Sequence, residues 1–183
     1  MGPQVTVMAS APAEEREPGR RWTLFASVLF LVLVPGTVVG LVPYWLTRWR
    51  VEEPLLGVTG VRALGAFMVL AGLASLLDSF ARFVFVGRGT PAPVAPPTRL
   101  VVSGQYRHVR NPMYVAVLAV VVGQGLVLGS GALLRYAALL WLLFHLFVVS
   151  YEERSLASRF GASYQEYCRN VRRWCPRVRP WPA

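Results

Sequence analysis

The 183-residue chain has no lysine, two histidines, two cysteines and a charged fraction of only 15%. Each scarcity excludes something. A water-soluble domain of this length carries about 25% charged residues. With 55% of residues hydrophobic, the chain is neither disordered nor collagenous. Two cysteines are too few for a disulfide-rich secreted module. Cys168 and Cys175 stand seven residues apart without a companion His or Cys at metal-ligand spacing, so they read as incidental thiols and no metal is expected. There is no P-loop, no GxGxxG, no GxSxG and no internal repeat. What remains is a membrane protein, in keeping with a mean hydropathy of +0.46. At about 150 residues per domain, the length suits one domain, or one with a short appendage.

All 19 basic residues are arginine, and the formal net charge is +10. Such a balance could serve nucleic acid. Here, however, the arginines flank apolar stretches, a placement that suits anionic lipid and membrane topogenesis and points away from a nucleic-acid partner.

A transmembrane helix needs roughly 20 mostly apolar residues. Residues 22–46 qualify without a single charge; Pro35 and Gly36 predict a kink, and Trp22, Tyr44 and Trp45 sit where interfacial aromatics belong. Residues 61–86 form a second candidate, interrupted by Arg62, Asp78 and Arg82. Residues 113–129 and 133–150 are a third and a fourth, so close together that they predict a tight antiparallel hairpin. The first segment is too long for a signal peptide and lacks a small-residue cleavage site. With four spans, fourteen arginines fall on the side of both termini and the middle loop, against three on the other side. The positive-inside rule then places both termini in the cytoplasm. The expected architecture is all-α: an integral membrane bundle of about four transmembrane helices, with a cytoplasmic cofactor-binding loop and a C-terminal amphipathic helix.

Residues 1–20 are small, polar and rich in Pro and Glu, and are expected to be disordered. The middle loop carries four prolines within residues 91–97, which forbid a helix and favour a stiff, extended connector. Past Ser150, Leu156, Phe160, Tyr164 and Tyr167 recur at helical spacing with arginines on other faces. That pattern predicts an amphipathic helix on the cytoplasmic face, ending before Pro176.

Ionisable residues inside a membrane cost several kcal/mol or more unless paired or solvated. Asp78 and Arg82, four apart, predict a mutual salt bridge that steadies the bundle. His145 and Gln124 are the polar residues of the last two spans; His145 is either a packing histidine or one lining a substrate cavity, on nearly the same helical stripe as Glu152. The densest polar cluster, TRLVVSGQYRHVRNPMY over residues 98–114, directly precedes the third span. Pro112 fits the first turn of a helix, whose free N–H groups and dipole suit an anion such as a carboxylate. A second cluster, Tyr151-Glu152-Glu153, opens the tail. Two acids at a helix C-terminus oppose the dipole; they form either a solvated boundary or a place where one glutamate accepts hydrogen bonds from the ribose hydroxyls or amine of a ligand.

The two blocks, GTPAPxxPPxxLVVSGxYRxVRNPMY and EExxLxxxFGxxYxxY around a transmembrane hairpin, closely resemble the isoprenylcysteine carboxyl methyltransferase and phospholipid methyltransferase superfamily. The likeness covers residues 89–176. It implies an integral membrane enzyme that uses S-adenosylmethionine without a Rossmann domain; 87–183 is then the catalytic region, preceded by the two N-terminal spans read from hydropathy within residues 21–86. It implies further that Thr98, Arg99, Leu100 and Val101 line the cofactor pocket, that Tyr106, Asn111, Pro112, Met113 and Tyr114 contact the cofactor, and that Glu152 is its glutamate partner. Gly123 matches a glycine that lets a ligand or a neighbouring helix approach. Asn111 stands where eukaryotic carboxyl methyltransferases have histidine, so hydrogen bonding is retained and titration lost.

One departure matters. In the isoprenylcysteine branch an arginine four residues before the glutamate meets the substrate carboxylate, and here that position is Val148. The expected function is therefore methyl transfer from S-adenosylmethionine to a lipophilic or membrane-embedded acceptor, the alternatives being a phospholipid amine or a small thiol. His145, Gln124 and Tyr151 are the candidates for lining the acceptor path or removing a proton. Readings from other classes are an NADPH-dependent membrane reductase and a non-catalytic membrane subunit. A bacterial plasma membrane is the expected location.

Overall fold

The computed structural model describes Leu29 and residues 32–85 and 100–182. The expected disorder of residues 1–20, the proline connector, Thr98 and Arg99 lie outside the described residues. Those that are described form helices joined by turns, with no strand among them.

Helix α1 (Val32–Thr47) holds a π-helical turn, Thr37–Leu41, immediately after Gly36. The Pro35-Gly36 pair thus marks a change of helical winding. A π turn loosens the regular ladder of backbone bonds, and two carbonyls in it are claimed from outside. Gln124 Nε2 donates to Val39 O at 2.8 Å and the Tyr136 hydroxyl to Val38 O at 3.2 Å. Helices α2 (Gly60–Phe85), α3 (Pro112–Leu128) and α4 (Gly131–Phe147) follow. Their bounds fall within three residues of those read from hydropathy. The turn between α3 and α4 is Gly129-Ser130, with Gly129 left-handed at φ 73°. A side chain there is doubly excluded, because a Cβ would lie 2.1 Å from the Glu53 carbonyl oxygen.

The outer surface of the bundle is that of a protein seated in lipid. Gly60–Arg82 and Gly131–Asn170 contain stretches long and apolar enough to cross a membrane, of which only 17% and 22% is buried within the protein. The core helix of a soluble protein would be mostly buried. Instead Phe67, Leu70, Leu142, Leu143 and Leu146 stand exposed, large apolar side chains of the kind that suit lipid better than water.

Where α2 passes α3 at Gly65 and Gly123 there is no room for a side chain on either residue. A Cβ on Gly123 would lie 2.6 Å from Gly65 O, and one on Gly65 would lie 2.7 Å from Gly123 O. Lipid-immersed helices associate by such close backbone approach, since lipid tails provide no hydrophobic drive. Beyond α4 the chain continues without a break through a second π turn, Val148–Glu152, into α5 (Glu153–Asn170). Gly161 kinks α5 at φ 51°, ψ −124°, a backbone state open essentially to glycine.

The tail is helical, as its periodicity predicts, but its apolar stripe does not rest on lipid. Tyr164, Tyr167 and Val171 are buried with Leu156 and Phe160 against Leu100, Val102 and Trp181. The stripe is covered by the segment that leads into α3 and by the chain's own C-terminal residues. The expected amphipathic helix is present, and residues of the chain itself cover its apolar stripe. Its apolar groups lose water by tertiary packing.

Candidate functional site

The polar end of the bundle is built from three segments. The first is residues 100–111, which contains a short 3-10 turn, Gly104–Arg107. It docks on α2 through the expected pair: Arg82 Nε meets Asp78 Oδ2 at 2.9 Å, and Gln105 Nε2 donates to the same oxygen at 3.0 Å. The second is the junction of α4 and α5. The third is the C-terminal stretch, residues 171–181, which wraps the first. Arg110 N donates to Arg172 O, Arg177 N to His108 O and Trp181 N to Arg107 O. The His108 Nδ1 lies 2.8 Å from the Arg177 carbonyl.

The two adjacent glutamates are treated unequally. Glu153 meets Arg173 twice, at 2.7 and 2.8 Å, and Arg110 at 3.1 Å. The planar guanidinium of Arg173 fits a carboxylate through two parallel bonds, and the Glu153 carboxylate raises the Arg173 pKa above its ordinary value. Glu152, one residue earlier, has no cation among the described residues. It accepts a single bond from the Tyr114 hydroxyl, at 2.9 Å. The π turn that ends at Glu152 rotates the chain between these neighbours, a use of π turns common at functional sites.

Around Glu152 lies an aromatic enclosure. The Tyr114 ring is 4.8 Å from that of Phe144 and meets Trp174 edge-on at 6.4 Å. Trp174 Nε1 donates to His145 Nδ1 at 3.1 Å, and the imidazole stacks on Trp141 at 5.4 Å and 24°. Asn111, at the N-cap of α3, is buried; its side chain does not cap the helix but donates to the Arg173 carbonyl at 3.2 Å. Pro112 fills the first helical position and is buried as well. Arg110, Asn111, Tyr114, Glu152, Glu153, Arg173 and Trp174 thus form one connected cluster.

The structure divides the candidate residues read from sequence. Asn111, Tyr114, Glu152 and His145 come together in the cluster. Tyr106 is buried beside it: its carbonyl accepts from the Tyr167 hydroxyl at 2.6 Å, and burial pushes its own phenol pKa up. Val101 is buried, and Leu100 packs on Tyr164 and Tyr167. Met113 faces the core beside Leu76, Ala116 and Val117. Gly123 lies elsewhere, its open side filled by Gly65 and Val69 of α2, so of the two approaches foreseen for it the helix is the one present. Gln124 is ten residues beyond Tyr114, roughly 15 Å along the helix, and is bonded to α1. It borders an apolar cleft of about 370 Å³ with Trp49, Val69 and Leu128. Tyr151 lies on Phe147 and is 53% exposed.

Sequence reasoning missed Arg173 and Trp174 as parts of the site. Neither sits on a periodic face, and their only signal was membership of an arginine- and tryptophan-rich tail, which reads as solvated charge. Arg110 lies inside the polar cluster of residues 98–114, where it was given no role of its own. A groove of about 450 Å³ also runs along the tail, lined by Val149, Glu153, Arg154, Tyr164, Cys168 and Arg169 among others. It opens on the Glu153 side and does not include Glu152.

No curated protein matches the chain. A family model described as phospholipid methyltransferase matches residues 61–163, a stretch that holds α2, α3, α4, Tyr114, His145, Glu152 and Glu153 and stops short of Arg173 and Trp174. With more than half of its length inside that match, and with an apolar surface suited to lipid, the chain belongs to the phospholipid methyltransferase family of membrane methyltransferases.

Proposed function

We propose that the protein moves a methyl group from S-adenosylmethionine to a lipophilic or membrane-embedded acceptor, in the manner of the isoprenylcysteine carboxyl methyltransferases. The observation that carries this reading is the contrast between Glu153, which bears two arginines, and Glu152, which bears one phenol and, among the described residues, no cation. A partly buried carboxylate without a counter-charge is costly. Placed among aromatic rings at the end of an apolar helix, it fits a ligand that is itself cationic and carries a flat ring. S-adenosylmethionine has a sulfonium, an ammonium and an adenine, so the residues present suit it.

In this reading Glu152 accepts from the ribose hydroxyls or the ammonium. Tyr114 orients that carboxylate, and Asn111, Pro112, Tyr106, Leu100 and Val101 shape the wall. The bound cofactor supplies an electrophilic methyl group, transferred in line to a nucleophile held about 3 to 3.5 Å away. The chain supplies no covalent nucleophile; it binds, aligns and keeps water from the reacting atoms. The acceptor enters sideways along the exposed face of α4, where Trp141, Leu142 and Leu146 meet lipid.

Four spans with both termini in the cytoplasm complete the proposal. Helices α3 and α4 have 17 residues each, or about 26 Å of rise, close to the roughly 30 Å hydrocarbon core. The arginine asymmetry supports the orientation.

Val148 is 1% exposed, and the cluster's Arg110 and Arg173 are engaged by Glu153. A carboxylate acceptor would need a partner from elsewhere. The test is transfer of labelled methyl by the purified protein in lipid nanodiscs, offered N-acetyl-S-farnesylcysteine, phosphatidylethanolamine or a small thiol in separate arms. A labelled lipophilic product is expected. Absence of product in every arm, together with binding of NADPH and not S-adenosylhomocysteine, would overturn the reading.

A further inference from the structure

We infer that Trp174 is a positioning residue that fixes the tautomer of His145, so that this histidine meets the methyl acceptor as a hydrogen-bond donor and not as a base. This deepens the function proposed above and rests on it for the word acceptor; the tautomer itself does not.

An indole N–H only donates. Trp174 Nε1 lies 3.1 Å from His145 Nδ1, so that nitrogen must present a lone pair. In a neutral imidazole the proton is then on Nε2, which becomes a donor. Protonating Nδ1 would set two N–H groups head to head. Among the described residues Nε2 has no partner, which leaves it free to donate to a ligand.

Both rings are held from behind. Arg173, the residue before Trp174, is clamped by its double contact with Glu153, and its carbonyl is held by Asn111. Trp174 therefore has an anchored backbone. The His145 ring is stacked on Trp141. Trp174 also meets the Tyr114 ring, whose hydroxyl holds Glu152. One indole thus touches the residue that orients the proposed cofactor partner and the histidine whose Nε2 is left to donate. An Nε2–H donor selects acceptors with a lone-pair oxygen near the reacting atom, such as a carbonyl or phosphoryl group, and needs no proton removed by this histidine.

His108 makes the prediction sharp. Its Nδ1 faces a carbonyl oxygen, which can only accept, so Nδ1 carries the proton there. The chain has two histidines, and they should be opposite tautomers. The experiment is nitrogen-15 NMR of histidine-labelled full-length protein in nanodiscs, with His108→Gln to assign the signals. Expected is one Nδ1–H imidazole from His108 and one Nε2–H imidazole from His145, with Trp174→Phe turning the latter into a tautomer mixture. A proton on Nδ1 of His145 in the unaltered protein, or an unchanged signal in Trp174→Phe, would overturn the inference.

Kinetics add a second readout on whichever probe acceptor is methylated. Glutamine keeps an acceptor and a donor but cannot serve as a base. His145→Ala should raise the acceptor KM by about tenfold, one hydrogen bond's worth, and His145→Gln should recover most of that loss. Loss of kcat in His145→Gln with S-adenosylhomocysteine binding intact would overturn the donor role. If no methyl transfer is seen at all, the functional reading fails while the tautomer result still decides the role of Trp174.

Discussion

Exchanging each of the two adjacent glutamates for glutamine should give opposite phenotypes. Glu153→Gln removes the charge that holds Arg110 and Arg173, whose side chains are 12% and 31% exposed. Breaking a buried ion pair costs about 3 to 5 kcal/mol and breaking an exposed one about 0 to 1 kcal/mol. With one arginine nearly buried and the other partly wet, the cost should be about 2 to 3 kcal/mol. At about 2 to 4 °C per kcal/mol for a chain of this size, the thermal midpoint should fall by about 4 to 12 °C. Glu152→Gln keeps an oxygen for the Tyr114 hydroxyl and strips a carboxylate that pairs with no arginine among the described residues, so the midpoint should move by no more than about 2 °C. Its affinity for S-adenosylhomocysteine should fall roughly 10- to 150-fold, the worth of a hydrogen bond to a charged group. Tryptophan-fluorescence melts with and without ligand, plus titration calorimetry in the same detergent, read both quantities. If Glu152→Gln destabilises as much as Glu153→Gln, or binds ligand normally, the division of labour between the two acids is wrong.

Other expectations follow from single contacts. Gly123→Ala forces a methyl group against the Gly65 carbonyl, and overpacking of this kind costs about 1 to 3 kcal/mol, to be seen as a lower melting point with ligand affinity retained per folded molecule. Tyr167→Phe removes a buried bond to the Tyr106 carbonyl and should cost about 1 kcal/mol; proteolysis of the loop around residue 106 should quicken. Gly161→Ala meets no atoms within 4 Å, so any loss is backbone strain of about 1 to 3 kcal/mol, visible as reduced helical signal in circular dichroism. Gln124→Ala frees the Val39 carbonyl and should lower the melting point while leaving S-adenosylhomocysteine binding unchanged, because the residue sits roughly 15 Å of helix away from Tyr114.

Helix positions were legible in the residues because the forces that set them are local. Hydropathy located α2, α3 and α4 to within three residues, and the Gly129-Ser130 turn was marked by its glycine. Asp78 with Arg82, and Pro112 at the head of α3, follow rules of helical spacing that need no partner from elsewhere. Asn111, Tyr114 and Glu152 were found by motif, and packing brings them to one place. Other features depend on residues far apart in the chain. Nothing in the spacing of Glu152 and Glu153 tells which is neutralised. That is settled by Arg173, twenty residues on, folding back to Glu153 while a π turn rotates Glu152 toward Tyr114. The apolar stripe of α5 looked like a membrane face because periodicity reports that a face is buried, not what buries it; the cover is Leu100, Val102 and Trp181. Trp174 carried no pattern, yet its donor sits on His145. Local pattern places charge and apolar surface along the chain, and only long-range closure decides which charges are paired and which lone pair is left for a ligand.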